Sequence, residues 1–324
     1  MTPPSASPAL PATIRVGTRA SALAMAQTRA TVEVLQTMTG AAAELVPIVS
    51  EGDRTTASLA SLGGTGVFAA ALRTALLEGR CDAVVHSLKD LPTTPLDGLV
   101  IAATPRREDA RDALCARDGL TLDTLPAGAR VGTGSPRRRA QLLARRPDLQ
   151  VLDIRGNVDS RLGRVQSGDL DAVVLSLAGL NRLGRADAVT EAFPLEAWPT
   201  APGQGSLALE VRAGDEALVS ALDDVVTRLT VDTERGVLAR LEAGCAAPVG
   251  VVARVSGGGE GDARGAELHA EAHVYALDGT RSLRSAHSIL IDDAERPAAE
   301  LSRRIVDELL GAGAATLAPL GSRR

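Results

Sequence analysis

Lysine is nearly missing from this chain: of 35 basic residues, only Lys89 is lysine and the rest are arginine. Aromatic residues make up 1% of the sequence, with one Trp, one Tyr and two Phe. A stacking platform for single-stranded nucleic acid needs a series of aromatic rings, so that class is excluded. The formal net charge of −5 excludes a globally basic nucleic-acid binder. Any anion site must therefore be a local cluster of arginines. No apolar run reaches 18 residues, so no transmembrane helix and no membrane partner are expected. Cys81, Cys115 and Cys245 lie far apart without a C-x-x-C pair, which excludes a cysteine zinc cage and fits a reducing cytoplasm. No metal is expected elsewhere either, since His86 is isolated and His269, His273 and His287 fall on alternating strands. The start, M-T-P-P-S-A-S-P-A-L-P-A, lacks a basic n-region and a continuous apolar h-region, so residues 1–12 read as a disordered tail.

What is present is 45% hydrophobic, and 324 residues suit two or three domains with cores of Leu, Val, Ala and Ile. Thr13–Gly17 reads as a strand, with Ser21 capping a helix over 22–38 whose apolar face is Leu23, Ala26, Ala30, Val34 and Leu35. Glu44–Ser50 is a second strand, so the unit is β-α-β with a parallel pair. Gly63-Gly64-Thr65-Gly66 precedes a helix over 67–79. It lacks a P-loop's Gly-Lys-Ser/Thr ending and reads instead as a mobile active-site loop. Further strands are expected at 84–87, 99–104, around Cys115, and at 130–132, 151–154, 171–176 and 206–211. The segments 105–112 and 198–205 look like crossings between two similar α/β lobes. Beyond them come a helix over 231–242, a strand over 249–255 and two alternating strands around an Asp278-Gly279 hairpin. A helix over 294–311 completes a small antiparallel third domain.

The stretch V-V-H-S-L-K-D (84–90) ends a buried strand, where open α/β sheets place ligand-handling groups. In a chain that otherwise uses arginine, Lys89 beside Asp90 suggests a compact ammonium that a guanidinium cannot replace. Arg19 follows the first strand, Arg137 and Arg138 follow Ser135-Pro136, and Arg155 and Arg161 flank the start of the next helix. Cations at helix N-termini oppose the macrodipole unless an anion lies between them and the free backbone N–H groups. Arginine forks also match carboxylates. The pattern predicts a ligand with several carboxylates or phosphates. Cys245, in L-E-A-G-C-A-A-P, is a loop thiol suited to nucleophilic attack or attachment.

Six motifs occur in order: I-R-V-G-T-R-A-S-A-L-A (14–24), H-S-L-K-D-L-P (86–92), V-G-T-G-S-P-R-R-R-A-Q-L (131–142), R-G-N-V-D-S-R-L (155–162), P-G-Q-G (202–205) and R-L-E-A-G-C (240–245). Together they resemble the porphobilinogen deaminase family, also called hydroxymethylbilane synthase, over roughly residues 13–315. The resemblance implies a transferase that condenses four porphobilinogen molecules head to tail into hydroxymethylbilane, releasing four ammonia molecules, in tetrapyrrole biosynthesis. It implies a dipyrromethane cofactor held by a thioether to Cys245, with porphobilinogen and the growing oligopyrrole as the partners. By position, Asp90 matches the catalytic carboxylate that hydrogen-bonds pyrrole N–H groups and stabilises the cation formed as ammonia leaves. Lys89, Thr133, Ser135, Arg137, Arg138, Arg155 and Gly156 would hold the cofactor. Arg19, Ser21, Arg155, Arg161, Arg182 and Gln204 would hold substrate. Gly63, Gly64 and Phe68 would belong to the mobile loop.

The fold it implies is two hinged, doubly wound lobes resembling type II periplasmic binding proteins, plus a small α+β third domain. The lobes would comprise residues 13–105 with 203–224, and 106–202; the third domain would comprise 225–324 and carry the cofactor cysteine. A cytoplasmic monomer is expected. Two departures stand out: Ser61 and Thr65, and Ala70 and Ala71, replace charged residues of better-known members around the loop, and Ala22 replaces a proline. The rival reading is a non-catalytic two-lobed carboxylate-binding protein, which would not need a third domain with a loop cysteine.

Overall fold

The computed structural model describes residues 12–49, 66–244, 247–257, 263, 265–293 and 296–321. The expected tail to residue 11, the loop residues Gly63 and Gly64, and Cys245 lie outside the described residues. Phe68 is placed only as part of a helix backbone.

Strand β1 (Thr13–Arg19), helix α1 (Ala22–Thr39) and strand β2 (Ala42–Ile48) form the expected parallel unit. Helix α2 (Gly66–Leu77) and strand β3 (Ala83–Ser87) follow, then β4 (Leu99–Ala103). The chain leaves this sheet and builds a second from β5 (Asp112–Ala116), β6 (Arg130–Gly132), β7 (Gln150–Leu152), β8 (Ala172–Ser176) and the two-residue β9 (Glu191–Ala192). Helices α3 (Pro136–Arg145), α4 (Val158–Gln166) and α5 (Leu177–Arg182) accompany it. It then returns as β10 (Leu207–Arg212) to the first sheet.

The sheet orders are β2-β1-β3-β10-β4 and β7-β6-β8-β5-β9. In each, the strand that enters straight after a crossing, β10 or β5, runs antiparallel to both of its neighbours. The lobes thus share one topology and exchange a strand position through the crossings. Each sheet is covered on both faces. Val32 and Leu35 of α1 pack with Ile14, Val16 and Val85, while Leu72 and Leu76 of α2 pack with Ile48, Val84 and Leu99 opposite. In the second lobe Leu142 of α3 packs with Val131, Phe193 and Trp198, and Leu162 and Leu180 lie on the other face.

Helix ends follow the expected chemistry. Ser21 caps α1 through Ala24 N (3.4 Å), and Gly40 ends it at φ +68°. Ser135 and Asn157 cap α3 and α4. The buried face of α1 is different from the expected apolar stripe: Val34 is 48% exposed and Ala30 is exposed, whereas Gln27, Thr28 and Thr31 are buried. The reason is polar pairing. Thr28 Oγ1 donates to Thr18 Oγ1 (2.7 Å), and Gln27 Oε1 accepts from Ser87 Oγ (3.2 Å), so these residues are buried without loss of hydrogen bonds.

The third unit contains helix α6 (Val225–Arg240), strands β11 (Val249–Ser256), β12 (Glu267–Tyr275) and β13 (Ser282–Leu290), and helices α7 (Pro297–Gly311) and α8 (Ala314–Leu317). The sheet is antiparallel in the order β11-β12-β13 and packs one face on α6 and α7. Helix α6 begins six residues earlier than the apolar pattern indicates. Asp224 caps it at Thr227 N (2.7 Å), and Thr230 and Thr233 return their hydroxyls to carbonyls of the preceding turn, so a polar threonine run stays helical. It ends at Arg240 with Leu241 as its cap, and Glu242 then adopts φ +49° before the segment that carries Cys245.

The crossings run against each other at Gly205. Glu108 N donates to Gly205 O (3.3 Å), and a Cβ at Gly205, with φ +87°, would lie 2.5 Å from the Glu108 carbonyl oxygen. Gly205→Ala should therefore lower the unfolding free energy by about 2 kcal/mol or more. Gly40→Ala, equally left-handed but with nothing within 4 Å, should cost about 1 kcal/mol. Urea titration of both variants checks the contrast; equal costs would mean that the crossings do not press on each other there.

Candidate active site

The turn after β3 holds Lys89 and Asp90 in a single 3-10 turn, Leu88–Asp90. Three backbone contacts fix it from the third unit: Arg235 on α6 donates through Nη1 to the carbonyls of Leu88 (3.1 Å) and Leu91 (2.8 Å), and through Nη2 to Pro92 (2.8 Å). Leu88 N also donates to Ser206 O on the second crossing (3.0 Å). Asp90 lines a small pocket with Arg19, Gln27, His86 and Ser87. Lys89 Nζ lies 3.3 Å from Gln204 Oε1. Burial lowers the Lys89 pKa to about 8; Asp90 and Asp112 hold it up, while Arg138 and Arg137 push it down.

The arginines of the second lobe divide into two groups. Arg155 and Arg161 are set by the turn between β7 and α4. Gly156 has φ +108°, and a Cβ there would strike the Ser160 hydroxyl. Asn157 Oδ1 caps α4 at Ser160 N (2.8 Å). Burial brings the Arg161 pKa down to about 10, helped by the positive charges of Arg138 and Arg155 and opposed by Asp153 and Asp90. Its guanidinium has no hydrogen-bonded partner among the described residues, and the Nε atoms of Arg155 and Arg161 are buried and unbonded. Thr133 Oγ1 accepts from Ser135 N (3.2 Å) and Ser135 Oγ accepts from Arg138 N (3.4 Å), so both hydroxyls keep a hydrogen to donate.

Arg137 is redirected by the structure. It is 3% exposed, and its Nη1 donates to Asp112 Oδ2 (2.9 Å), Gln141 Oε1 (2.7 Å) and Pro199 O (3.3 Å). Through Nη1 it is committed to the carboxylate and carbonyl between the two crossings, while its Nε is buried without a partner. Arg138 shares that carboxylate, with Nη2 at 2.6 Å from Asp112 Oδ1 and Nη1 at 2.9 Å from Val174 O, yet its charge still acts on Lys89 and Arg161. Gln204 is likewise committed to the hinge. Its Nε2 donates to Ala110 O and Asp112 Oδ1, both at 2.8 Å, and its Oε1 lies near Lys89 and Arg138. Arg182 Nη2 donates to Gly205 O (2.7 Å) and so ties α5 to the second crossing. Arg19 and Ser21 remain at the first lobe's strand end, Arg19 in the Asp90 pocket and Ser21 at its cap.

The site is therefore a cleft rich in positive charge: Arg138 acts on Lys89, Arg138 and Arg155 act on Arg161, and Asp90 is the carboxylate that acts on both Lys89 and Arg161, with Asp112 and Asp153 each acting on one of them. Four arginine Nε atoms, on Arg137, Arg138, Arg155 and Arg161, are buried without partners; the Arg161 guanidinium as a whole has none among the described residues, which suits a ligand with several carboxylates. Two family models match the chain: porphobilinogen deaminase, dipyrromethane cofactor binding domain, over residues 14–220, and porphobilinogen deaminase, C-terminal domain, over 228–311. The chain belongs to the porphobilinogen deaminase family.

A porphobilinogen deaminase of Leifsonia xyli subsp. xyli is 54% identical over 323 residues, covering 96% of each chain. That of Thermobifida fusca is 50% identical over 307 residues, covering 93% of this chain and 94% of that one. Among solved structures, a periplasmic substrate-binding protein of an ABC transporter from Coxiella burnetii shows a TM-score of 0.42 and 16% identity, over 64% of this chain and 91% of that one. As a porphobilinogen deaminase the chain is a transferase of tetrapyrrole biosynthesis with a dipyrromethane cofactor. The cationic cleft fits that group, a pyrrole pair with acidic side chains. Among the described residues no metal cluster and no membrane-spanning helix is found.

Sequence reasoning missed the residues that hold the site together. Asp112 and Arg107 lay in the charged crossing P-R-R-E-D-A-R-D without an assigned role. Glu234 and Arg235 carry no assigned role in the helix expected over 231–242.

The lowered Lys89 pKa gives a pH dependence. Ordinary lysine stays charged to above pH 10; here the ammonium is lost as pH rises through about 8 in the ligand-free protein. Below that pH it is charged and attracts carboxylates. Cofactor assembly from porphobilinogen by the apo-protein should thus weaken as pH rises through about 8. In Lys89→Arg the midpoint should move upward, because a guanidinium stays protonated. An unchanged midpoint in Lys89→Arg would assign the titration to another group.

Proposed function

We propose that this chain condenses porphobilinogen into hydroxymethylbilane at the cleft between its lobes, with Asp90 as the catalytic carboxylate. The observation that carries the assignment is Asp90's setting: its charge acts on both Lys89 and Arg161, and it lines a pocket with Arg19. As a carboxylate, Asp90 can accept hydrogen bonds from pyrrole N–H groups and stabilise positive charge that develops as ammonia departs. Its neighbours repel that same charge, so the carboxylate must be close to the reacting ring to dominate.

Cys245 is the proposed attachment point. Gly244 and Ala247 on either side are hydrogen-bonded to each other (2.9 Å), at the end of the helix whose Arg235 grips the Asp90 turn. When bound, the dipyrromethane group supplies the primer to which substrate rings are joined. Lys89, Arg138 and Arg155 would hold its carboxylates, with Thr133 and Ser135 donating hydroxyl hydrogens. Arg19, Ser21 and Arg161 would hold those of incoming substrate. Arg137, Arg182 and Gln204 would act through the hinge. We propose the division into lobes 13–105 with 203–224 and 106–202, with a third domain over 225–324; the three separate sheets support it. Cys81 and Cys115 are free buried thiols, which suits a cytoplasmic protein; we propose that it works there as a monomer.

Asp90→Asn keeps shape and hydrogen-bonding capacity but removes the charge. Turnover of porphobilinogen should fall by at least about a hundredfold while the protein keeps its fold and its cofactor. Measuring porphobilinogen consumption and intact mass on the same preparation separates the two effects. A variant that retains near-normal turnover would remove Asp90 from this role.

A further inference from the structure

His86 is buried at the end of β3 and lines the same small pocket as Asp90, Arg19 and Gln27. Its Nε2 lies 3.1 Å from Oε2 of Glu210 on the neighbouring strand β10. Glu210 is itself buried and held by Arg73 of α2, with Nε 3.1 and 3.0 Å from its two carboxylate oxygens and Nη2 2.8 Å from Oε1. Burial alone would raise the Glu210 pKa, but the hydrogen bonds from His86 and Arg73 together outweigh it and hold the carboxyl below its ordinary range. An ionised carboxylate only accepts, so the imidazole places a hydrogen on Nε2 toward Glu210, and the tautomer with that single hydrogen keeps its lone pair on Nδ1. Among the described residues no group hydrogen-bonds Nδ1.

We infer that His86 offers Nδ1 as the hydrogen-bond acceptor for the substrate's aminomethyl ammonium, and that Glu210 and Arg73 are positioning residues that fix its tautomer. The inference rests on reading the Asp90 pocket as the substrate's own. The pocket then has a complement for each group that porphobilinogen brings: a guanidinium at Arg19 for a carboxylate, a carboxylate at Asp90 for the pyrrole N–H, and an imidazole nitrogen for the amine. No proton changes hands in this contact. It holds the leaving nitrogen, already an ammonium, in place until the C–N bond breaks and it departs with the bonding pair as ammonia.

Glutamine separates the two ring nitrogens: its amide nitrogen can replace Nε2 against Glu210, and it puts nothing at Nδ1. For His86→Gln the thermal midpoint should match wild type, and KM for porphobilinogen should rise about tenfold. Ki for the analogue with methyl in place of aminomethyl should stay within about twofold, because that analogue has no amine to lose. An unchanged KM, or a KM and Ki that rise together, overturns the inference. Should His86→Gln fail to fold, imidazole ¹⁵N shifts in the wild-type enzyme decide it. They should show a protonated Nε2, and an unprotonated Nδ1 whose resonance moves when porphobilinogen is added. A protonated Nδ1, or one indifferent to substrate, overturns it. The Asp90→Asn assay reads the pocket assignment separately, so failure of one does not imitate failure of the other.

Discussion

Everything in the cleft depends on one buried carboxylate. Asp112, at the first residue of β5, has no exposed surface and accepts four hydrogen bonds: from Arg137 (2.9 Å) and the Trp198 indole (2.9 Å) on one oxygen, and from Arg138 (2.6 Å) and Gln204 (2.8 Å) on the other. Those partners come from the second lobe's first helix and from the returning crossing, so a single anion joins both crossings to the lobe they serve. Burial works against its charge, but the two guanidiniums prevail and hold its carboxyl far below the usual range. Its contribution to stability is thus present above the unfolded pKa, near 4, and is lost only as pH falls well below that. Removing one partner of such a buried cluster typically costs about 3–5 kcal/mol, because it leaves an uncompensated charge behind.

A second carboxylate does the equivalent work for the third unit. Glu234 on α6 is fully buried, takes a two-pronged bond from Arg107 of the first crossing (2.7 and 2.9 Å), and accepts from Gly203 N of the second (2.7 Å) and Ala253 N of β11 (3.0 Å). The next residue, Arg235, grips the turn that carries Lys89 and Asp90. Adjacent residues of one helix therefore hold the crossings and the turn of Lys89 and Asp90. That same helix runs on to the segment of Cys245. The part of the chain proposed to carry the cofactor is mechanically continuous with the part that positions the chemistry.

Much of this was legible in residues whose job is local. Ser21 caps its helix as the sequence reading expects, and Asp278-Gly279 turns a hairpin, because such geometry is set within a few residues. Lys89 and Asp90 were conspicuous as a strand-end pair in a chain that is otherwise arginine-rich. What stayed hidden was long-range pairing. The buried face of α1 could not be read from apolar spacing, because Gln27 and Thr28 find hydrogen-bond partners on other elements. Arg137 looked like a ligand-binding arginine because nothing in its own segment shows that Asp112, 25 residues earlier, claims it. Glu210 and Arg73 are 137 residues apart and carry no mark of meeting beside His86.

The central claim is that this cationic cleft exists to hold an acidic pyrrole primer fixed to Cys245, and intact mass under denaturing conditions tests it most directly. Protein purified from cells that make porphobilinogen should be heavier than its sequence by two condensed pyrrole units, and Cys245→Ala should have the mass of its sequence alone. An unmodified native chain, or an adduct that persists in Cys245→Ala, would contradict the account.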